Sequence, residues 1–185
     1  MAEEPSRSMV MPERAIRLGA VSAASERRAF IGGSDARIIM SNDEKALLRL
    51  WREKRGEAEQ PDYSDNLLVQ LGLATEPLNR LWYERTTGEV IKDVQSWIRH
   101  PVIRWMAATL DGMVEGSGAV FEAKFMLPWS FSEEAAAEKH MAQLQHNMWV
   151  TNATAAVLSI ITSGGEVGRD QDTSRFALSA PSFDG

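Results

Sequence analysis

The chain of 185 residues contains no cysteine, which excludes a disulfide framework, a thiol nucleophile and a cysteine-ligated zinc site. It has no run of about 18 apolar residues, so no membrane span is expected. Its first residues, Met-Ala-Glu-Glu-Pro-Ser, lack a basic segment followed by an apolar one, so no signal peptide is expected. Together these absences fit a cytoplasmic setting. Only three histidines occur, His100, His140 and His146, and none lies four residues from another. Surface or supporting positions are expected for them, rather than metal ligation. No Gly-x-Ser-x-Gly elbow, Gly-x-x-x-x-Gly-Lys-Ser/Thr loop or Gly-x-Gly-x-x-Gly fingerprint is present, which argues against serine hydrolases, ATPases and dinucleotide enzymes. Cations are in deficit: 20 Lys and Arg against 26 Asp and Glu give a net charge of −6. A protein that simply coats nucleic acid would carry the opposite sign. An enzyme with a local basic groove and acidic metal ligands remains compatible.

What is present is ordinary for a globular domain, with 44% hydrophobic and 25% charged residues. The length suits one domain with a real core. Residues 1–20 mix Glu, Arg, Ser and Pro without periodicity and read as a flexible arm, leaving residues 21–162 as the folded domain. Residues 163–185 are poor in apolar residues and read as a mobile tail. No internal repeat is evident.

Within the domain, Gly32-Gly33-Ser34 looks like a turn feeding a short helix, with Ser34 or Asp35 near its N-cap. Such a helix start beside Arg27, Arg28 and Ser34 could form a phosphate pocket, or be a plain capped turn with solvated arginines. Ser41-Asn-Asp-Glu44 has capping-box spacing, with Ala46, Leu47, Leu50 and Trp51 on one helical face and Gly56 at the end. A second helix is expected from about Asn66 to Thr87, kinked or divided by Pro77, with Leu67, Leu71, Leu78, Leu81 and Trp82 on its buried side. Glu76 precedes that proline, solvated or pointing into a cleft. Residues 89–98 alternate loosely as a strand, and His100-Pro101 makes a corner. A helix from about Ser132 to Val150 carries Ala137, Met141, Leu144 and Met148 as its core stripe, with Gln143 and His146 on an adjacent face. Residues 153–162 read as a buried strand.

The centre of the pattern is residues 106–126, read as two strands, 106–115 and 118–126, joined by a tight turn at Gly116-Ser117. If Glu115 pairs with Gly118, Asp111 lies opposite Glu122, and Lys124 projects from the same face. Cβ atoms so paired are roughly 5 Å apart, and two carboxylates at that spacing repel. Hard oxygen ligands suit Mg²⁺ or Mn²⁺, and a neighbouring ammonium can hold a water or stabilise charge on a phosphate. A solvated Glu-x-Lys salt bridge beside an Asp-Gly turn is the alternative.

The order of these pieces resembles the phage-type recombination nucleases of the lambda exonuclease and YqaJ family, within the PD-(D/E)XK superfamily. The residues that carry it are Ile31-Gly-Gly-Ser-Asp-Ala36, Glu76-Pro77, Thr87-Gly88, Asp111-Gly112, Glu122-Ala-Lys124 and Met141-Ala-Gln-Leu-Gln-His-Asn-Met-Trp-Val-Thr151. The resemblance spans roughly residues 27–162. It implies an α/β, restriction-endonuclease-like core with a central mixed β-sheet flanked by α-helices. It implies Mg²⁺ (with Mn²⁺ able to substitute) held by Asp111, Glu122 and the backbone carbonyl of Ala123, with Glu76 adding a metal or water contact. Lys124 matches the catalytic lysine and Gln143 the glutamine that supports it. Ser34 and Arg27, or equally Arg28, match positions that grip the 5′-phosphate of a DNA end.

The implied activity is digestion of one strand of duplex DNA from its 5′ end, in bacterial or phage-infected host cytoplasm. A single-strand annealing protein is the implied partner, and a homo-oligomer, in some members a ring-shaped trimer, the implied assembly. An endonuclease or structure-specific nuclease on the same scaffold, or a non-catalytic remnant that binds DNA or a partner, are the competing readings.

Overall fold

A computed structural model describes residues 27–59, 61–130 and 132–162, and the backbone of residues 173–179. Four α-helices and seven strands are present among the described residues: α1 Gly33–Ile39, α2 Glu44–Arg55, α3 Leu67–Thr87, β1 Ile91–Lys92, β2 Trp97–Arg99, β3 Ala107–Thr109, β4 Gly112–Val114, β5 Val120–Met126, α4 Glu133–Thr151, β6 Ala155–Thr162 and β7 Thr173–Ser179. The expected arm, residues 1–20, lies outside the described residues.

The main sheet has the order β1-β4-β5-β6-β7, and β2 and β3 pair as a separate ribbon. Its one parallel pair is β5 with β6; the other neighbours run antiparallel. A parallel pair needs a crossover, and α4 provides it. The sheet is therefore mixed, as the sequence implied.

Alternation along β5 sends its side chains to two cores. Val120 and Met126 pack with Leu144, Met148, Leu158 and Ile160 beneath α4. Phe121 and Ala123 pack with Tyr83, Ile91 and Val114 beneath α3. Glu122 and Lys124 thus face α4, two positions along from Val120 and four.

Several local expectations are corrected. The expected strand over 89–98 is two short strands in different sheets, because Asp93 and Gln95 take positive φ of 53° and 56° and break the run. The expected strand over 106–115 is likewise divided: β3 pairs with β2, and the chain crosses at Leu110-Asp111 into β4. The hairpin between β4 and β5 closes through a longer loop than a two-residue turn. Gly118 donates to the Val114 carbonyl at 2.8 Å, and it is Gly118, not Gly116, that holds a positive φ of 68°. Even so the register is the anticipated one, since Gly112 faces Phe121 and Met113 faces Val120.

The cap of α1 is Gly32, with Ser34 and Asp35 next to it in the first turn as expected; Asp35 reaches back to accept from the Gly32 N–H at 2.9 Å. Asp43 rather than Ser41 caps α2, accepting from Ala46 at 3.0 Å, while Ser41 Oγ donates back to the Ile38 carbonyl. Of the expected α2 face, Leu50 is buried and Leu47 and Trp51 are exposed. Asn66 caps α3, which runs through Pro77 as a single helix to Gly88.

The largest correction is the face of α3. Leu67, Leu78, Leu81 and Trp82 are exposed, whereas Asn79 and Tyr83 are buried. Asn79 Nδ2 donates to the Ser159 carbonyl at 2.9 Å and Ser159 Oγ donates to Asn79 Oδ1 at 2.6 Å. Tyr83 meets Phe121 with ring centroids 5.0 Å apart. A polar pair closed on itself can be buried at little cost, so it replaces the leucine stripe against the sheet.

On α4 the buried stripe is Ala136, His140, Leu144, Asn147 and Met148; Ala137 and Met141 are only partly buried. Of the surface or supporting positions anticipated for the histidines, the surface one does not apply to His140 and His146, which are buried, with His146 Nε2 3.0 Å from the Ala107 carbonyl. Finally, residues 173–179, read as part of a mobile tail, form an antiparallel edge strand along β6 from Ala155↔Ser179 to Ile161↔Thr173.

Candidate active site

Gly112↔Phe121 places Asp111 and Glu122 opposite each other one step further along the hairpin, where paired residues share a face. Gly112 is needed there because β1 comes very close. A Cβ on it would lie 2.2 Å from Ile91 Cγ2. Beyond the last β4 pair, the N–H of Ala123 has no strand partner on that side and donates to Asp111 Oδ2 at 2.8 Å. The carbonyl of Ala123 points to the same edge as its N–H, since both groups of one residue in an extended strand do so.

Glu122 is almost fully buried, at 1% exposure, and its carboxylate is held by three donors. Lys124 Nζ and Gln143 Nε2 both donate to Oε1, and Asn147 Nδ2 donates to Oε2 at 3.2 Å. Gln143 and Asn147 sit one helical turn apart on α4, so a single helix face delivers both amides. The N-terminus of α1 packs against that face. A Cβ on Gly33 would lie 2.4 Å from Asn147 Oδ1 and 3.0 Å from Gln143 Cγ, so any side chain there would displace the groups that hold Glu122.

The electrostatics are those of an undercompensated pair of carboxylates. Burial first, and the charge of Glu122 second, push the Asp111 carboxyl up to about 7, with Lys124 and the Ala123 N–H opposing. Burial acts to lower Lys124, but the charges of Glu122 and Asp111 outweigh it and the ammonium is raised above its ordinary value. His140 has its Nδ1 buried without a partner. Burial, with the nearby cations Lys124, Arg37 and Lys139, pushes it down to about 3, so it is neutral.

Glu76 is within electrostatic reach of Asp111. Its Oε1 accepts from Arg80 at 3.0 Å and Gln95 at 2.6 Å, however, so the structure does not bring it into contact with the pair. Among the described residues no group of three or more His, Asp and Glu side chains is arranged to hold a metal ion. The donors that do converge are two carboxylates and a backbone carbonyl. That set fits Mg²⁺, which keeps several waters and needs only one or two protein carboxylates. Placing a divalent cation there would also offset the repulsion that raises Asp111.

Beside Gln143 and Asn147 lies a cavity of about 350 Å³, lined also by Arg27, Ser34, Thr109, Phe30 and Trp97. The structure separates the two arginines that the sequence left open. Arg27 lines this cavity, whereas Arg28 lies against Gly56 at the C-terminus of α2, where a cation complements the helix dipole. The loop carrying Arg27 and Phe30 is pinned by Lys54. Its Nζ donates to both their carbonyls at 2.7 Å and pairs with Asp35 at 2.6 Å. Sequence reasoning missed Lys54, Asn147, Thr109 and Trp97. Asn147 was findable, being four residues from Gln143; Lys54 acts across more than 20 residues of chain and leaves no local signal.

A family model for the YqaJ-like viral recombinase domain matches residues 24–154. The chain belongs to that family. Protein YqaJ of Bacillus subtilis (strain 168), described as uncharacterized, is 30% identical over 129 residues. That match takes in 68% of this chain and 40% of the relative's length. Among solved structures, the alkaline exonuclease LHK-Exo from Laribacter hongkongensis superposes with a TM-score of 0.70 at 19% identity, over 87% of this chain and 82% of that one. LHK-Exo in complex with dAMP gives a TM-score of 0.68 at 19% identity, over 87% and 83%. A phage-related exonuclease from Haemophilus somnus 129PT gives 0.64 at 13% identity, over 82% and 85%. The YqaJ-family fold is therefore that of these exonucleases. Among the described residues no helix is long and apolar enough to cross a membrane.

Proposed function

We propose that this chain is a Mg²⁺-dependent deoxyribonuclease that digests duplex DNA from its ends, in the 5′-to-3′ direction, with Mn²⁺ able to replace Mg²⁺. The observation that carries the reading is the convergence of Asp111, Glu122 and Lys124 on one face of β4 and β5, with Gln143 and Asn147 fixing Glu122. Family membership and the fold shared with exonucleases support it, as does the dAMP bound to LHK-Exo, a nucleotide carrying a 5′-phosphate.

In this reading Asp111, Glu122 and the Ala123 carbonyl would hold the metal. When bound, the ion supplies Lewis acidity, a water of lowered pKa and relief of charge at the leaving oxygen. The Lys124 ammonium stands beside Glu122 and can donate to the attacked phosphate or hold the attacking water. Gln143 and Asn147 position the Glu122 carboxylate rather than touch substrate. Arg27 and Ser34 grip the terminal phosphate in the cavity next to them. Glu76, now held by Arg80 and Gln95, would add a further carboxylate near the metal site by exchanging one of those partners. A homo-oligomer around the duplex and a single-strand annealing partner complete the proposal.

The test is cleavage of linear duplex with 5′-phosphate or 5′-hydroxyl ends against closed-circular duplex, with Mg²⁺ or EDTA. Mg²⁺-dependent loss of the linear form, faster with the 5′-phosphate, is the expected result. Cutting of the closed circle would instead make the protein an endonuclease.

A further inference from the structure

We propose that Trp97 is a stacking platform for the terminal nucleobase of the DNA end, a role that rests on the nuclease reading and adds a base-recognition element to it. Trp97 stands on β2 directly opposite Thr109 of β3, two residues before Asp111. The register thus ties the indole to the strand that leads into the metal-binding carboxylates. Trp97, Thr109, Arg27 and Ser34 line one cavity, and Gln143 and Asn147, the amides that hold Glu122, line it too.

The indole is exposed but not loose. About half of its surface is open, at 48%. Phe30 meets it edge-on, with ring centroids 5.8 Å apart and planes at 62°. The Arg99 guanidinium covers it at 5.1 Å. Phe30 is itself buried and carries the Lys54 ammonium 5.5 Å from its ring centroid. An aromatic fixed from two sides, half-exposed and lining the same cavity as Arg27 and Ser34, has the makings of a base-stacking site. Stacking is tolerant of base identity because every base has a π-face. It suits an enzyme that must accept whatever nucleotide comes next. Arg99 adds positive charge beside the indole, which favours a polyanionic strand.

The test measures binding of duplex ends in EDTA, so that cleavage does not intervene. The probes are two 5′-phosphorylated blunt duplexes, one with adenine and one with an abasic residue at the 5′-terminal position. Wild-type protein is expected to bind the adenine end about tenfold more tightly than the abasic end. Trp97→Ala should bind both alike, and Trp97→Phe should keep most of the preference. Equal binding of the two ends by wild type, or an undiminished preference in Trp97→Ala, would overturn the proposal. Adding Mg²⁺ to the same mixtures separates it from the nuclease reading. A Trp97-dependent preference without cleavage leaves the stacking role standing and removes the nuclease. Cleavage without the preference does the reverse.

Discussion

Two polar clusters lie against opposite faces of β5 and β6, and they are built on different plans. Toward α3, Asn79 and Ser159 exchange hydrogen bonds and are both buried; the pair is neutral and closed. Toward α4, the cluster of Glu122, Lys124, Gln143 and Asn147 is charged and sits opposite a second carboxylate, Asp111. Both buried side-chain polar atoms without a partner among the described residues, His140 Nδ1 and Asn147 Oδ1, belong to α4 as well. A fold that needs only stability can satisfy its buried polar groups within itself, as on the α3 side. The α4 side leaves charge and hydrogen-bonding capacity unspent, and that is what a metal and a phosphodiester would use.

The comparison breaks most sharply if the charged side is dispensable. Asp111→Ala and Glu122→Ala should each abolish Mg²⁺-dependent cleavage while far-ultraviolet circular dichroism stays unchanged. Equal digestion by wild type and both variants would remove this face from the chemistry. Gln143→Ala and Asn147→Ala act through Glu122, so a smaller loss is expected. Each should reduce metal affinity about 10- to 100-fold, read as a rise in the Mg²⁺ concentration giving half-maximal rate. A purely packing role would lower the melting temperature and leave that concentration where it was.

The closed side should respond in the opposite sense. Ser159→Ala and Asn79→Ala leave a buried partner unsatisfied, which costs about 1–3 kcal/mol of stability in denaturant titrations. Cleavage per folded molecule should be unchanged. At neutral pH the smallest effect concerns His140, buried among Lys124, Arg37 and Lys139. Its folded pKa is depressed to about 3 from an ordinary 6.5, so the unfolded chain takes up a proton first as pH falls. Its contribution is intact above about pH 6.5 and is lost progressively below it, by at most about 1.4 kcal/mol per pH unit. His140→Gln should flatten that part of the stability profile, measured as denaturant midpoints between pH 4 and 8.

The same contrast explains what the sequence disclosed. Helix ends at Gly56 and Gly88 were visible because glycine there marks a left-handed cap. The facing of Asp111 and Glu122 was visible because side-chain direction alternates with a period of two, and counting back from the turn fixes the register. That count survived a longer loop because the loop takes one residue from each side, Glu115 and Gly118, and so leaves the pairing unshifted.

What stayed hidden depended on tertiary choice. On α3 the leucine stripe had the stronger periodicity, yet Asn79 and Tyr83 face the sheet, because a satisfied polar pair can be buried where a pattern of hydrophobicity assigns none. The break between β1 and β2 depends on Asp93 and Gln95 adopting positive φ, which neither residue type announces. Lys54 reaches Asp35 and the loop at Arg27 from another helix, a contact no spacing rule encodes. Asn147 and Trp97 carried only faint signals, one its distance from Gln143 and the other its place three residues before His100-Pro101 would turn the chain.

The central claim is that Asp111 and Glu122 hold a divalent cation together. Calorimetric titration of Mn²⁺ and Mg²⁺ into wild type, Asp111→Asn and Glu122→Gln tests it without reference to DNA. Binding by wild type that is lost in both variants is the predicted result. Equal binding by all three proteins, or none by the wild type, would contradict it.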